Sequence, residues 1–515
     1  MERYIIGIDS GTTGIKAVLF DEQGNEIAKK GIGLKGYFPQ ENQYEEDMEE
    51  IWEKAQICVE SVAAQVDRNA IIGIGITAQG DGLWMVDEDM KPVRRGCCFC
   101  DGRAAEFVDQ WVEDGTCERL FELTGTWIFT GNQNGIVRWM EKYEKESLEK
   151  SRWLLHLKDY LFYKFTGEVT TDATDQSLIF LDQNKRDYLE EAFDVCGLKA
   201  YREKYPPVKT AKENTYFILP ELSEKIGLTD KVLVTSGPMD VGACALGSGV
   251  IDNAHCCSII GTAALHEMVI DKPLQDAIKS GMTVSHVMEG RWLRLMASLA
   301  GTPNLEWMLQ TIGSQIKEDA EGLGKNVYDY MEEMIKDVPI GAHGVMYHPY
   351  LLAGGERAPF TDSRARASYT GLSVKTSLAD IVRATYEGVA FAMLDCYEHM
   401  PLTPEQITVC GGGSGSNTWC QMFADALGSR IVTVKGDELG ARGVAINNMV
   451  VQGIYGSYQE AVSKIVKTKM VYEPNMEHQC DSFLNKAFVV EGQNQALTKE
   501  RKFQMLGELT IREVE

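Results

Sequence analysis

Two apolar runs separated by five small or polar residues open the chain. Ile5-Ile6-Gly7-Ile8 ends in Asp9, Ser10-Gly11-Thr12-Thr13-Gly14 follows, and a second apolar run from Ile15 leads to Asp21. Two such runs joined by a short glycine-containing turn predict a β-hairpin with a polar tip. The period then changes. Met48, Ile51, Trp52, Ala55, Cys58, Val59 and Val62 recur at helical spacing and predict a helix over 47–66, with Asp47 and Glu50 as its capping pair. The apolar runs 71–77 and 231–236 predict strands, and 104–190, with its many Lys-Glu alternations, predicts a mostly helical inserted or lid-like segment.

In the second half, residues 257–270 repeat the opening outline of strand, Gly-Thr turn and strand, which suggests an internal duplication. A helix is expected over 383–400, stopped by Pro401, then a strand over 407–410, a glycine loop, and a helix over 419–427 ending near Gly428. Strands alternating with helices make the fold class α/β. A chain of 515 residues exceeds one ordinary core, so two domains are expected. The restart of the strand pattern puts them at 1–246 and 247–515. After about residue 480 the pattern is mixed and helical, with no assignable chemistry.

Composition narrows the function. Apolar content of 44% and charged content of 25% belong to a globular protein. A formal charge of −25 argues against nucleic acid and anionic membrane surfaces as partners, and no apolar run has the length of a membrane span. No secretion signal is expected at the N-terminus. Thirteen cysteines without paired C-x-x-C spacing read as reduced thiols of a cytoplasmic protein, serving as small buried apolar residues rather than zinc ligands.

Four segments carry candidate chemistry. The hairpin tip offers backbone N–H groups at Gly11, the hydroxyls of Thr12 and Thr13 and the cation of Lys16 for phosphate, with Asp9 placed to hold a hydrated Mg²⁺. Its order is neither a Walker A loop nor a Rossmann fingerprint. Ser236-Gly237-Pro238-Met239-Asp240 puts a carboxylate where a strand turns into a helix, suited to accept a proton from a hydroxyl; taken alone, Asp240 reads as a helix cap sooner than as a base. Gly411-Gly412-Gly413 makes a flat backbone ledge for an adenine or ribose, or a flexible connection. Gln79 and Asp81 after the strand 71–77, with Asp101 and Arg103 beyond, are hydroxyl-binding groups or ordinary loop residues.

In this order these segments resemble the FGGY family of carbohydrate kinases, within the actin-like ATPase superfamily. The likeness spans nearly the whole chain. It includes Gln43-Tyr44-Glu45-Glu46-Asp47, Lys158-Asp159-Tyr160-Leu161, Thr171-Asp172-Ala173-Thr174, the run from Tyr350 to Pro359, and Arg383-Ala384-Thr385-Tyr386-Glu387-Gly388. The resemblance implies two ribonuclease-H-like domains with an inter-domain cleft, the first binding sugar and carrying the phosphate hairpin, the second binding nucleotide. It implies Asp240 as general base. Asp9, Gly11, Thr12, Thr13 and Lys16 would serve Mg²⁺ and the ATP phosphates; Gly261, Thr262, Gly301, Gly412, Gly413 and Asn417 the nucleotide; Gln79, Asp81, Asp101, Arg103 and Asp240 the sugar or polyol. Homodimers fit families of this kind.

Gly80-Asp81 stands where xylulose kinases of the family carry Met-His, the Arg-Glu pair of the glycerol kinases is absent, and Val241 follows the aspartate in place of Gln or Asn. The run from Gln79 to Trp84 is closer to the L-xylulose and erythritol kinase branch. Asp81 suits a hydroxyl-rich, uncharged acceptor and would repel an acid sugar. The reading is therefore a kinase for a hydroxyl of a four- or five-carbon polyol or ketose. The alternatives are an actin-like nucleotide-dependent switch and a catalytically silent sugar sensor.

Overall fold

The computed structural model describes residues 2–273, 278–352, 354–362 and 364–475. The tail after residue 480 lies outside the described residues. The chain divides into two compact units, Met1–Asn253 with Met268–Arg294 and Val434–Lys467, and Ala254–Glu267 with Leu295–Thr433 and Thr468–Glu515. Two segments from the second half of the sequence thus belong to the first unit.

The first unit is built on a six-stranded sheet. Its order is Thr215–Phe217, Leu233–Ser236, Ile71–Ala78, Tyr4–Gly11, Gly14–Asp21, Glu26–Gly33. The last three form an antiparallel meander, and Ile71–Ala78 pairs in parallel with both Tyr4–Gly11 and Leu233–Ser236. Alternation along the strands sorts their side chains to two faces. Ile6, Ile8, Ala17 and Leu19 enter a core with Met48, Ile51, Ala55 and Val59 of the helix Met48–Ala63 and with Tyr160 and Leu161 of Leu157–Thr166. Ile5, Val18 and Phe20 point the other way, onto Ala441, Ala445, Ile446 and Met449 of the helix Leu439–Val451.

That second helix lies unusually near the backbone beneath it. A Cβ on Gly7 would stand 2.1 Å from the Ala441 carbonyl oxygen, and one on Gly443 1.9 Å from that of Ala243. Only glycine permits such approach, so the helix is seated on the central strand and on the helix Asp240–Gly247 at fixed height.

The N-terminal helix starts as its sequence predicts, with the Asp47 carboxylate accepting from the N–H groups of Glu49 and Glu50. Glu50 turns outward to Lys54 instead of closing a reciprocal box. Residues 104–190 enter a core around Leu120, Ile136, Met140 and Phe180, which Leu83 and Met85 before them and Phe193 and Tyr205 after them complete; the rings of Phe180 and Phe193 stack 3.8 Å apart. The segment forms a packed subdomain rather than a lid, because the apolar positions between the Lys and Glu residues are numerous enough to bury one another.

In the second unit His255–Ile260 lies between Ala264–Ile270 and Gln406–Cys410, and Arg430–Val434 and Thr468–Tyr472 continue the sheet. The long helix runs Leu378–Glu398, five residues longer at its start than its apolar spacing suggested. Ser377 and Asp380 close a capping box there, a signal present in the sequence but preceding the apolar stripe. Among the described residues no helix is long and apolar enough to cross a membrane.

Candidate active site

The three parallel strands of the first unit run in one direction, so residues leaving their carboxyl ends emerge along one edge. Asp9 lies near the end of Tyr4–Gly11, Gln79 and Asp81 follow Ile71–Ala78, and Asp240 follows Leu233–Ser236. Topology alone thus gathers residues separated by more than two hundred positions.

At the hairpin, Thr12 and Thr13 form the two-residue tip between the paired Gly11 and Gly14, and Asp9 faces Lys16 across the ladder. Lys16 Nζ stands 3.3 Å from Asp9 Oδ2 and 2.8 Å from Glu438 Oε2. Burial opposes the charge of Lys16, but Asp9 and Glu438 outweigh it and hold its pKa above the ordinary lysine range. Burial raises the pKa of Asp9, and the Lys16 ammonium works against that rise. Glu438 also meets Lys29 and precedes the helix Leu439–Val451. A Cβ on Gly440 would fall 2.6 Å from Asp9 Oδ2. Its absence lets the helix N-terminus, whose unpaired N–H groups and dipole favour negative charge, come up to the carboxylate.

Asp240 is the first residue of the helix Asp240–Gly247, with Met239 in the capping position, and its Oδ1 accepts from its neighbour Val241 N at 2.8 Å. The carboxyl is pushed up to about 7, first by burial and then by the negative field of Asp9, with Asp175 adding to it and the N–H groups of Val241 and Gly80 pulling it down. A carboxylate in that range can take up a proton near neutral pH.

Asp81 is buried in a left-handed backbone conformation, φ 58°, which a non-glycine residue adopts at some cost unless its surroundings hold it there. Asn132 Nδ2 donates to its Oδ1 at 2.6 Å. Burial pushes Asp81 up to about 7; Asn132 and His156 oppose the rise, and Asp175 and Asp240 reinforce it. Asn132, His156 and Asp175 had no part in the sequence reading, since nothing in their local spacing separates them from structural polar residues. Gln79 faces inward: its amide donates to Glu46 Oε2 at 2.8 Å and its carbonyl accepts from Thr12 Oγ1 at 3.2 Å. It ties the hairpin tip to Glu46, itself pushed up to about 7 by burial.

Asp101 and Arg103 form a fully buried ion pair, with Arg103 Nε 2.8 Å and Nη2 2.9 Å from the two carboxylate oxygens. Asp101 also accepts from the N–H groups of Tyr44 and Arg103, and Arg103 Nη2 reaches Glu45 Oε1 at 2.8 Å. Both Asp101 oxygens are therefore engaged within the protein, while Arg103 Nη1 has no hydrogen-bond partner among the described residues.

In the second unit, the glycine segments named from the sequence come together. A Cβ on Gly301 would lie 2.3 Å from the carbonyl oxygen of Gly261 and 2.6 Å from that of Thr262, and Thr302 N donates to Gly261 O at 2.8 Å. Gly412 and Gly413 lie in a short 3₁₀ turn after Gly411, and a Cβ on Gly412 would sit 3.7 Å from Thr302 Cγ2. The loop before Gly301 is held by Glu356, which accepts from Ser298 Oγ at 3.0 Å and Leu299 N at 2.8 Å. Asn417 begins the helix Asn417–Leu427 and accepts from Tyr472 Oη at 2.6 Å, leaving its amide nitrogen outside that bond.

The raised carboxylates carry a stability consequence. A buried acid with a folded-state pKa near 7 and an unfolded one of about 4 favours the fold at low pH, and that contribution is lost as pH rises between the two values. Asn fits the left-handed backbone of Asp81 and can accept the same Asn132 bond. Asp81→Asn is therefore expected to melt above wild type at pH 8 and level with it near pH 4, in thermal scans followed by circular dichroism.

Residues 4–247 match the N-terminal domain, and residues 256–451 the C-terminal domain, of the FGGY family of carbohydrate kinases. The chain is 27% identical over 473 residues to an erythritol kinase of Brucella abortus, covering 90% of each chain. It is 29% identical over 457 residues to a probable L-xylulose kinase of Pasteurella multocida, covering 88% of this chain and 91% of that one. A ligand-bound xylulose kinase structure from Lactobacillus acidophilus matches its fold with a TM-score of 0.89 at 23% identity, over 97% of this chain and 100% of that one. With both domains of the family matched in order, the chain belongs to the FGGY family of carbohydrate kinases and is an ATP-dependent phosphotransferase with an alcohol group as acceptor.

Proposed function

We propose that this kinase transfers the ATP γ-phosphoryl group to a hydroxyl of an uncharged four- or five-carbon polyol or ketose, with Asp240 as general base. The observation that carries the reading is the placement of Asp9, Asp81 and Asp240 at the carboxyl ends of three parallel strands, along one edge of the sheet. An acceptor-binding carboxylate, a proton acceptor and a carboxylate at a phosphate-binding hairpin are what in-line transfer to an alcohol requires. Asp240 takes the proton as the hydroxyl attacks, so that the developing alkoxide is never left free.

Residues 1–246 would carry the acceptor site and the phosphate hairpin, and 247–515 the remaining nucleotide contacts. Asp81 and Arg103 would face the acceptor, with Asp81 accepting from its hydroxyls and Arg103 Nη1 left to donate, and Gln79 and Asp101, engaged within the protein, would line the acceptor site behind them. Gly11, Thr12, Thr13 and Lys16 would take the phosphates. Gly261, Thr262, Gly301, Gly412, Gly413 and Asn417 would contact the nucleotide. Asp9 would hold Mg²⁺. A single rigid strand carboxylate beside a residue with no side chain, Gly440, fits an ion that keeps most of its positions for water and phosphate. When bound, that ion neutralises the charge of the phosphates.

An acidic surround of Asp81, Asp175 and Asp240 disfavours an acceptor that carries a carboxylate. The erythritol and L-xylulose kinases similar to this chain are named for a four-carbon polyol and a five-carbon ketose, which fits the same class. A cytoplasmic setting suits an enzyme that consumes ATP.

Asp240→Asn is expected to lower kcat by about 10²–10⁴-fold with nucleotide affinity nearly unchanged, the usual scale for loss of a general base. Near-normal kcat in that variant would remove the base assignment. Asp81→Ala should raise KM for the acceptor roughly tenfold or more while KM for ATP holds, because hydrogen bonds to a charged group are lost on one side only. Equal effects on both constants would put Asp81 outside the acceptor site.

A further inference from the structure

Two runs singled out in the sequence, 158–161 and 171–174, have no role in the binding or chemistry described above. Both meet beneath the loop that carries Asp240. Lys158, in the helix Leu157–Thr166, is wholly removed from solvent. Its ammonium pairs with Asp172 and with Asp175 Oδ2 (2.9 Å), and donates to the Gly237 carbonyl at 2.8 Å. Burial opposes its charge, but Asp172, Asp175 and Asp159 outweigh that and keep it protonated.

The backbone groups of residues 237–239 can be accounted for one by one. Gly237 N donates to Ile76 O at 2.8 Å, and Gly237 O accepts from Lys158. Pro238 has no N–H, and its carbonyl accepts from Thr77 Oγ1 at 2.7 Å. Met239 N donates to Thr174 Oγ1 at 3.0 Å, and Met239 O accepts from Ala243 N at 2.9 Å. Thr174 is held in turn by Asp172, whose Oδ1 accepts from its hydroxyl at 2.6 Å and its N–H at 2.8 Å. A Cβ on Gly237 would stand 2.3 Å from Val444 Cγ1, which closes the loop from above.

We propose that Lys158, Asp172 and Thr174 are positioning residues for Asp240, holding the 237–239 backbone so that the carboxylate stands in one place through the reaction. A buried ammonium with two carboxylates is a poor way to gain stability, since well-packed apolar side chains serve as well or better. Its product here is definition: a loop with few local partners is fixed from a distant helix and a distant cap. Displacing a reacting group by about an ångström can cost two orders of magnitude in rate. The inference rests on the reading of Asp240 as base.

Thr174→Val keeps the shape and the backbone bond to Asp172 but removes the hydroxyl's bonds to Met239 N and Asp172, whereas Thr174→Ser keeps the hydroxyl. The valine variant is expected to lose about 10–100-fold in kcat with KM for ATP within about twofold of wild type, and the serine variant to recover kcat to within about threefold. Lys158→Met combined with Asp172→Asn and Asp175→Asn, which leaves neither carboxylate partner of that ammonium unpaired, should show the same split; the threonine pair keeps the test decisive if that protein does not fold. Wild-type kcat in Thr174→Val, a parallel rise in KM for ATP, or an equal defect in Thr174→Ser would overturn the inference. Asp240→Asn assayed alongside separates the two claims. If it turns over normally, the base reading falls and this inference with it; if it is impaired while Thr174→Val is not, only the positioning role falls.

Discussion

Partial or complete withdrawal of four carboxylates from water, each with acidic neighbours, is the constraint on which the first unit depends. Asp9, Asp81, Asp175 and Asp240 are drawn from four places in the chain, and each is shifted upward by burial or by its acidic neighbours. A protein under no functional demand would neutralise or disperse them. Here each is instead given a specific counterweight: Lys16 for Asp9, Asn132 for Asp81, Lys158 for Asp175, and two backbone N–H groups for Asp240. The counterweights explain why so much of the surrounding polar structure is buried.

The sheet makes this gathering geometrically simple. Three parallel strands end along one edge, and glycines under the helix Leu439–Val451 let its N-terminal end approach the same edge. Support then comes from behind. Gln79 braces the hairpin tip against Glu46, and the cradle of Lys158, Asp172 and Thr174 braces the approach to Asp240.

Much of this was legible in the sequence. The hairpin, the N-terminal helix with its Asp47 cap and the strand leading to Asp240 follow from period and turn chemistry, which act over a few residues. Family resemblance supplied the order in which such pieces matter. Long-range partners were not legible. Glu438 lies 422 positions from Lys16, counting 438 minus 16, and nothing in its own surroundings marks it as the second anchor of that lysine. Lys158 lies in a mostly apolar run, Leu154 to Phe162, where nothing local names the partners that allow its complete burial. Asp101 and Arg103 look like a surface pair two residues apart, and only the fold shows that they also grip Tyr44 and Glu45. The left-handed backbone at Asp81 had a local signal in Asp81-Gly82, since both residues take positive φ, but the bond from Asn132 that holds the carboxylate there did not.

The central claim is that this acidic edge accepts an uncharged, hydroxyl-rich molecule and phosphorylates it. A coupled assay of ADP release across tetritols, pentitols, ketopentoses, ketohexoses, glycerol and a six-carbon aldonic acid tests it most directly. The account predicts acceptor-dependent ADP release with at least one four- or five-carbon polyol or ketose, and none with the aldonate. Release confined to the aldonate, or no acceptor-dependent release from any compound, would contradict it.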